Sequence, residues 1–381
     1  MLKPKKIALA LPQISEQDTV SVNEALKANW VTSGGPFVAE FETKLKETLN
    51  TSRSIIALNS GTAALHLALT LTGVKRDDLV LCQTMSYVAS ANPIQYLGAR
   101  PVFIDSEQDT FNLSPNYLKT AIEDCLEKGK LPAALVVVHS YGLPCKIEEI
   151  AKIASHYKIP LIEDAAEALG SRYKNKSCAL FGDYGILSFN GNKIITTGGG
   201  GALICKSAED AQRARHLASQ SKIGQAGFEH DAVGFNYTMP GLNAALGMSQ
   251  LKALNSHIEA KRNIHFFYKE VIAQIPGVEL LEVPDDSYYS NYWLSCIRLN
   301  SQLLKNKSSE GLRKFLEQHE IESRFLWKPL HLQGIYENQE FYGGDVAENL
   351  WKSGLCLPSG SGLTAFDLNR IKDALLDYFF N

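Results

Sequence analysis

The chain has 381 residues, of which 45% are hydrophobic and 21% are charged, and its formal net charge is −3 at pH 7. This length favours a large domain plus a smaller one, and the composition is that of a globular protein, which excludes a collagen-like, coiled-coil or disordered chain. Because the charges are spread along the chain and form no basic face, we expect no nucleic-acid partner.

The cysteines and the apolar segments indicate the compartment. The seven cysteines are scattered along the chain without a Cys-x-x-Cys pair, which fits a reducing compartment and argues against a zinc site. The apolar run over residues 7–11 is too short for the core of a signal peptide, and no other stretch approaches the length of a membrane helix. We therefore predict a cytoplasmic protein that binds neither a membrane nor a metal ion.

Short β-rich runs alternate with amphipathic helical patterns over the first two-thirds of the chain. The predicted strands are Ser54–Leu58, Leu79–Gln83, Pro101–Ile104, Ala134–His139, Pro160–Asp164, Gly185–Phe189 and Ala202–Lys206. The helical patterns between the early strands include Thr62–Leu71, Pro115–Glu127 and Ile147–Tyr157. This alternation predicts a doubly wound α/β domain with a mostly parallel, seven-stranded sheet.

The pattern changes in the last third of the chain. Helical patterns dominate between residues 208 and 263, and isolated strands such as 292–299 mix with helices after about residue 266. We predict a domain boundary near residue 265. A large domain would then comprise residues 1–265, and a smaller α+β domain would comprise residues 266–381.

Ligands of open α/β sheets bind at the carboxyl ends of the strands, and the first candidate loop there is the segment 59–64, Asn-Ser-Gly-Thr-Ala-Ala. Its small residues would let a phosphate approach, and the free N–H groups at the start of the following helix favour an anion. The ordinary alternative is a helix N-cap formed by Ser60 without any ligand. Taken alone, this loop is only a weak sign of phosphate binding.

Two further loops carry chemistry. An apolar strand ends in Glu163 and Asp164, and because side chains alternate along a strand, only one of them can easily face a site. Lys193 follows another strand in the segment 188–193, and the apolar residues around it predict partial burial, as Schiff-base chemistry requires. The ordinary explanation of the acidic pair is a solvated loop start, and that of Lys193 is a lysine on the protein surface. The four glycines 198–201 form no Gly-x-Gly-x-x-Gly that leads into a helix, so we discount NAD.

Together the three loops meet the requirements of one cofactor. Pyridoxal phosphate needs a lysine for a Schiff base, commonly an acid on its pyridine nitrogen, and a phosphate site. Lys193, Asp164 and the segment 59–64 would supply these three groups. The sequence therefore predicts an enzyme that uses pyridoxal 5'-phosphate.

The same segments resemble a known family. The chain is similar to the fold type I sugar aminotransferases of the DegT/DnrJ/EryC1/StrS family from about residue 14 to residue 358. The most specific likenesses are the segments 59–69, 163–167, 188–193 and 243–247. Within the family, the runs 193–201 and 290–294 resemble the aminotransferases that make UDP-4-amino-4,6-dideoxy-N-acetylglucosamine, the bacillosamine and legionaminic acid precursor.

The resemblance implies roles for the cofactor-binding residues. Lys193 would bind pyridoxal phosphate covalently and then move the proton, which makes it the catalytic residue. Asp164 would pair with the pyridine nitrogen. Thr62 and Ala63 would bind the phosphate through their backbone N–H groups, and Ser188 would add its hydroxyl.

Four further positions take their roles from the resemblance alone. Tyr87 would stack on the cofactor, and Glu167 would lie beside its ring. Asn236 would reach the phosphate from the neighbouring subunit of a homodimer with shared active sites. His331 would bind the substrate, although a capping or packing histidine is an equal alternative. Thr238 stands where many relatives have an arginine that could bind an anion.

The implied reaction is a two-step transamination from L-glutamate to C4 of a nucleotide-linked 4-keto-6-deoxy sugar, with UDP-4-keto-6-deoxy-N-acetylhexosamine as the acceptor. A dTDP-linked or GDP-linked keto-sugar is the alternative acceptor. Related sugar 3-dehydratases have histidine at the lysine position, so Lys193 argues against that activity. A cofactor-binding sensor on the same fold would need a DNA-binding module, for which the chain offers no basic helix.

Overall fold

The computed structural model of the protein describes residues 5–224, 228–304 and 307–381. Within these ranges the α-helices are α1 (Glu16–Lys27), α2 (Pro36–Leu49), α3 (Gly61–Leu71), α4 (Asn92–Tyr96), α5 (Pro115–Glu127), α6 (Ile147–Tyr157), α7 (Ala208–Ala218), α8 (Gly241–Lys252), α9 (Leu254–Ile272), α10 (Ser309–Gln318), α11 (Val346–Ser353) and α12 (Ala365–Phe380).

The strands are β1 (Ile55–Leu58), β2 (Leu79–Gln83), β3 (Arg100–Ile104), β4 (Ala134–Val138), β5 (Leu161–Asp164), β6 (Arg172–Tyr173), β7 (Lys176–Ser177), β8 (Tyr184–Ser188), β9 (Gly201–Ile204), β10 (Lys222–Ile223), β11 (Glu229–His230), β12 (Val278–Leu280), β13 (Tyr288–Tyr289), β14 (Ser295–Leu299), β15 (Arg324–Phe325), β16 (Phe341–Tyr342) and β17 (Gly354–Leu357). The seven strands and three helices predicted from the pattern are present, with ends that differ by at most two residues.

The large sheet has the order β1-β9-β8-β5-β4-β2-β3-β16. From β8 to β16 every neighbouring pair is parallel, whereas β9 runs antiparallel to both β1 and β8. The predicted doubly wound α/β fold is therefore confirmed. The predicted count of seven strands is wrong by one, because β16 pairs with β3 although its two residues are too few to show a periodic pattern.

Close backbone packing places the start of α3 against β9. An ideal Cβ added to Gly201 would lie 2.4 Å from the backbone nitrogen of Gly61, so no side chain fits at residue 201. Since β9 pairs with β8, this contact brings the N-terminus of α3 beside the end of β8. Since β5 also pairs with β8, the three candidate loops of the sequence meet at the carboxyl ends of these strands.

A second, antiparallel sheet of order β12-β14-β17-β15 lies in the C-terminal part of the chain. The predicted boundary at residue 265 falls inside α9, whose early residue Ile258 packs in the core of the large sheet. Its later residues Ile264 and Tyr268 pack in the core beside the second sheet, together with Ile7 from the start of the chain. The division into two domains stays a prediction.

Among the described residues, no helix combines the length and the apolar character that a membrane crossing requires. The same residues contain no group of three or more His, Cys, Asp or Glu side chains that could hold a metal ion. All seven cysteines are buried and carry free thiols.

Candidate active site

A cavity of about 420 Å³ lies at the carboxyl ends of the parallel strands, where β4, β5 and β8 each contribute their last residue. The predicted site residues that line it are Thr62, Tyr87, Asp164, Glu167, Ser188 and Lys193. These side chains come from separate loops, so the fold brings most of the predicted site together in one place.

The N-terminus of α3 forms one wall of the cavity. Ser60 caps the helix in an extended conformation and accepts a hydrogen bond from the Ala63 N–H at 3.0 Å. An ideal Cβ on Gly61 would lie 3.0 Å from the Cβ of Ser188, so only glycine lets the helix start approach β8 this closely. Thr62 and Ser188 therefore line the same corner, where the positive end of the helix dipole favours an anion.

Asp164 forms another wall and is only 6% exposed. One carboxylate oxygen accepts a hydrogen bond from the Ser90 hydroxyl at 2.7 Å, and the other accepts from the Ala166 N–H at 3.1 Å. Ser90 is in turn hydrogen-bonded to the hydroxyl of Ser86 at 2.8 Å. These neutral donors fix the orientation of the carboxylate without neutralising its charge, which suits a cationic partner in the cavity.

Glu163, the preceding residue, has the opposite environment. It is fully buried, and its carboxylate lies 3.1 Å from the Nε2 of His139. It also accepts hydrogen bonds from the backbone N–H groups of Ala179 and Gly182. Because side chains alternate along β5, the Glu163 side chain points into the packed interior, whereas the Asp164 side chain lies in the cavity wall.

Lys193 reaches the cavity between an acid and an aromatic ring. Its side chain is 13% exposed, which confirms the predicted partial burial, and its Nζ lies 3.5 Å from the Oε1 of Glu167. The same nitrogen lies 4.3 Å from the centroid of the Trp293 ring. Burial raises the pKa of the Glu167 carboxyl, whereas the Lys193 ammonium and the Tyr141 N–H lower it in part.

A model of the DegT/DnrJ/EryC1/StrS aminotransferase family matches residues 12–376 of the chain. The chain belongs to this family. It is 42% identical to EpsN of Bacillus subtilis (strain 168), a protein named for pyridoxal phosphate-dependent aminotransferase activity, over 98% of this chain and 96% of that protein. It is 33% identical to a GDP-perosamine synthase of Escherichia coli O157:H7 over 98% of this chain and 99% of the synthase.

A solved structure of a DegT DnrJ EryC1 StrS aminotransferase from Brucella abortus has the same fold. The TM-score is 0.88 at 28% sequence identity, and the match covers 96% of both chains. The predicted fold type I architecture is confirmed by this likeness. The protein is therefore a pyridoxal phosphate-dependent sugar aminotransferase.

The cavity of this aminotransferase fits pyridoxal phosphate. The glycine-lined corner between α3 and β8 offers helix N–H groups and the Ser188 hydroxyl to a phosphate. The charged carboxylate of Asp164 suits a protonated pyridine nitrogen. Lys193 lies in the same cavity, and Tyr87, whose side chain is 54% exposed, offers an aromatic face at the cavity mouth.

Three predicted residues do not line the cavity. The Ala63 N–H is already bonded to Ser60, so a phosphate would have to share or replace that contact. Asn236 is exposed, and its backbone oxygen accepts a hydrogen bond from the side chain of Asn59, which does line the cavity. The predicted roles of Ala63 and Asn236 stay predictions.

His331, the third of these residues, does not line the cavity, although Trp327 from the same segment does. Its Nδ1 is 2.7 Å from the hydroxyl of Thr84, and its ring stacks on Phe341 at a centroid distance of 3.8 Å. Burial lowers the pKa of the imidazole. These contacts fit the alternative of a packing histidine, and the predicted role of His331 in substrate binding stays a prediction.

Sequence reasoning assigned no role to several residues that line the cavity. Trp293, Arg324 and Trp327 come from the C-terminal part of the chain, and Ser90 follows β2. Arg324 is paired with Glu322 at 2.8 Å and adds a cationic side chain to the cavity lining. The run 290–294 includes Trp293 but carried only a resemblance and no role, and only the folded chain brings these residues to the loops of the large sheet.

Proposed function

We propose that this aminotransferase moves the amino group of L-glutamate to C4 of a nucleotide-linked 4-keto-6-deoxy sugar, with UDP-4-keto-6-deoxy-N-acetylhexosamine as the acceptor. The observation that carries the proposal is the position of Lys193, whose Nζ enters a cavity that also presents Asp164 and the N-terminus of α3. The runs 193–201 and 290–294 support the UDP sugar through their resemblance to one subgroup of the family.

The residues of the cavity divide the reaction between them. Pyridoxal phosphate, when bound, supplies an electron-poor ring that takes up the electrons left when a proton leaves the donor carbon. Lys193 is the base that removes this proton from the donor carbon and the acid that delivers it to the carbon on the other side of the transferred nitrogen. Asp164, oriented by Ser90, keeps the pyridine nitrogen protonated through its negative charge. Arg324 offers a cation to the carboxylates or the diphosphate of the substrates.

The runner-up acceptor is a GDP-linked keto-sugar, because a relative named GDP-perosamine synthase matches nearly the whole chain. A dTDP-linked keto-sugar is the third alternative. Competition of the three nucleotide sugars in one reaction with L-glutamate measures their relative kcat/KM values. We expect the UDP sugar to be preferred. A clear preference for the GDP or dTDP sugar would refute the UDP assignment and leave the aminotransferase reaction intact.

The active unit of the proposed enzyme is a homodimer in which Asn236 of each subunit completes the site of the other. The exposure of Asn236 beside the cavity residue Asn59 supports this arrangement. The test mixes inactive Lys193→Ala subunits with inactive Asn236→Ala subunits. In each mixed dimer, one site receives both wild-type groups, so random exchange should restore roughly a quarter of the wild-type activity. No recovery after demonstrated subunit exchange would contradict the shared site.

The proposed location is the cytoplasm. The seven buried thiols suit a reducing compartment, and the sulfur atoms of Cys296 and Cys356 face each other at 3.8 Å as free thiols. Fractionation of cells that produce the protein should recover the activity in the cytosolic fraction. Recovery in the membrane or secreted fraction would contradict the proposal.

A further inference from the structure

Trp293 presents the aromatic ring that contacts Lys193. It lies just before β14, is only 2% exposed, and presents its ring to the Nζ of Lys193 at 4.3 Å. This distance is within the range of about 6 Å over which an aromatic ring attracts an ammonium group. The Oε1 of Glu167 lies 3.5 Å from the same nitrogen. The ammonium of Lys193 therefore has two partners, a carboxylate and the face of a ring.

Three hydrogen bonds hold Trp293 in place. Its indole Nε1–H donates to the carbonyl of Asn192 at 2.7 Å, and its backbone N–H donates to the Oδ1 of Asn291 at 2.8 Å. Its carbonyl accepts a hydrogen bond from the Nζ of Lys261 at 3.1 Å. Because Asn192 directly precedes Lys193, the indole ring is fastened to the backbone that carries the lysine.

The segment that holds Trp293 also holds Glu167. The Nδ2 of Asn291 donates to the carbonyl of Glu167 at 3.0 Å. Gly142 packs against this segment so closely, with a φ of +87°, that an ideal Cβ would lie 1.9 Å from the Asn291 Oδ1. A single rigid segment thus fixes both partners of the Lys193 ammonium relative to each other.

We propose that Trp293 is a positioning residue that, together with Glu167, holds the Lys193 ammonium in the cavity whenever this lysine is not covalently bound to the cofactor. The ring attracts the protonated amine and has little attraction for the neutral amine, so the contact acts in the protonated state. It keeps the long, flexible side chain of Lys193 pointed at the reaction site. The proposal rests on the proposed function of Lys193 in proton transfer.

The test compares Trp293→Leu, which removes the ring, with Trp293→Phe, which keeps a smaller ring but loses the indole N–H. Trp351→Leu is the matched control, because Trp351 also has an ammonium neighbour, Lys328 at 5.5 Å, but does not line the cavity. The full-length enzyme is stripped of cofactor and treated with formaldehyde and cyanoborohydride. Mass spectrometry of the peptide that contains Lys193 then gives the rate at which its amine is methylated.

Loss of the ring should free the amine. We expect methylation of Lys193 to be about 3- to 30-fold faster in Trp293→Leu, the range that corresponds to a cation–π contact. Trp293→Phe should lie between this variant and the wild type, and Trp351→Leu should match the wild type. In the loaded enzyme, Trp293→Leu should lower kcat without a comparable rise in KM for the acceptor.

Equal methylation rates in the wild type, Trp293→Phe and Trp293→Leu would overturn the proposal, since Trp293 would then serve only as packing. The Phe variant keeps the test valid if the Leu variant fails to fold. The methylation rate depends on neither the sugar nor the donor. If Lys193→Ala instead retained turnover, the proposed function would fail while the methylation result still decided the contact.

Discussion

The cavity around Lys193 and the packed interior around Lys261 each contain a largely buried lysine. The Nζ of Lys193 faces a carboxylate and an aromatic ring at the edge of an open cavity. Lys261, on α9, is 3% exposed and donates hydrogen bonds to the carbonyls of Trp293 at 3.1 Å and Ser359 at 2.6 Å. Burial lowers the pKa of Lys261 from its ordinary value of 10.5 to about 7.

The comparison shows that a shifted pKa alone does not identify the lysine that lines the cavity. Strongly perturbed pKa values often mark active sites, and by that criterion Lys261 would be chosen. Its hydrogen bonds nevertheless go to backbone carbonyls, and it does not line the cavity. The contact of Lys261 with the site is indirect: it donates a hydrogen bond to the carbonyl of Trp293, whose ring contacts Lys193.

The two carboxylates at the end of β5 show the same contrast. Asp164 lines the cavity and keeps its charge available for a cationic partner, whereas Glu163 is bonded to His139 and to two backbone N–H groups in the interior. In both pairs, the proposed function assigns chemistry to the residue that lines the cavity. The other residue is hydrogen-bonded within the interior.

The largest expected effect is a difference in kcat between variants of the two lysines. Lys193→Ala removes the group that moves the proton and should lower kcat by about 10⁴-fold, the upper range for general acid–base catalysis. Lys261→Met, which keeps a similar apolar length, should lower kcat by less than about 10-fold because it acts only through Trp293. Steady-state kinetics of both purified variants measures the difference. Equal losses of kcat in the two variants would contradict the assignment of proton transfer to Lys193 alone.

Chemical trapping gives a second measurement on the same pair. Borohydride reduction of the loaded wild-type enzyme should fix the cofactor to the peptide that contains Lys193, as expected for a Schiff-base lysine. Mass spectrometry of the digest identifies the modified residue. Label on the peptide that contains Lys261 would reverse the assignment of the two lysines.

The next effect concerns the two acids. Asp164→Asn keeps the shape but removes the charge, so kcat should fall by about 100-fold, the size seen when one preorganised electrostatic contact is lost. Glu163→Gln should leave kcat nearly unchanged and lower the free energy of unfolding by about 1–3 kcal/mol, since it weakens buried hydrogen bonds. Kinetics and urea unfolding of both variants test this. A loss of turnover confined to Glu163→Gln would show that Glu163, and not Asp164, makes the cofactor contact.

Most of the large sheet and most of the candidate site could be predicted from the sequence, because short contiguous segments of the chain encode them. The apolar runs predict the strands of the large sheet, and the contiguous segments 59–64, 163–167 and 188–193 contain most of the predicted site. Trp293 and Arg324 were not assigned, because they reach the cavity only after the C-terminal part of the chain packs against it. His331 was assigned a substrate role by resemblance alone, and the structure packs it against Phe341.

The burial of Lys261 could have been predicted from the sequence. It stands in a polar run near residue 260, but it shares the spacing of Leu254, Ile258, Ile264 and Tyr268, which form the buried face of α9. A lysine on an apolar stripe at helical spacing predicts an interior position. Its hydrogen-bond acceptors could not be predicted, since Trp293 and Ser359 are distant in the chain.

The last prediction is a contribution of Lys261 to the pH dependence of stability. Between about pH 7 and pH 10.5, an unfolded chain binds a proton on Lys261 that the folded protein does not bind. The contribution of Lys261 to the free energy of unfolding should therefore rise with pH in this window, by at most about 1.4 kcal/mol per pH unit. Below pH 7 both states bind the proton, so the contribution should be constant there.

Urea unfolding of the wild type, Lys261→Met and the exposed control Lys252→Met, at intervals from pH 6 to pH 10, measures this contribution. The difference between the wild type and Lys261→Met should shift in favour of the wild type as the pH rises above 7, since other titrating groups cancel in the comparison. The difference between the wild type and Lys252→Met should stay constant. If the wild type and Lys261→Met instead gave parallel curves, Lys261 would keep its proton in the folded protein.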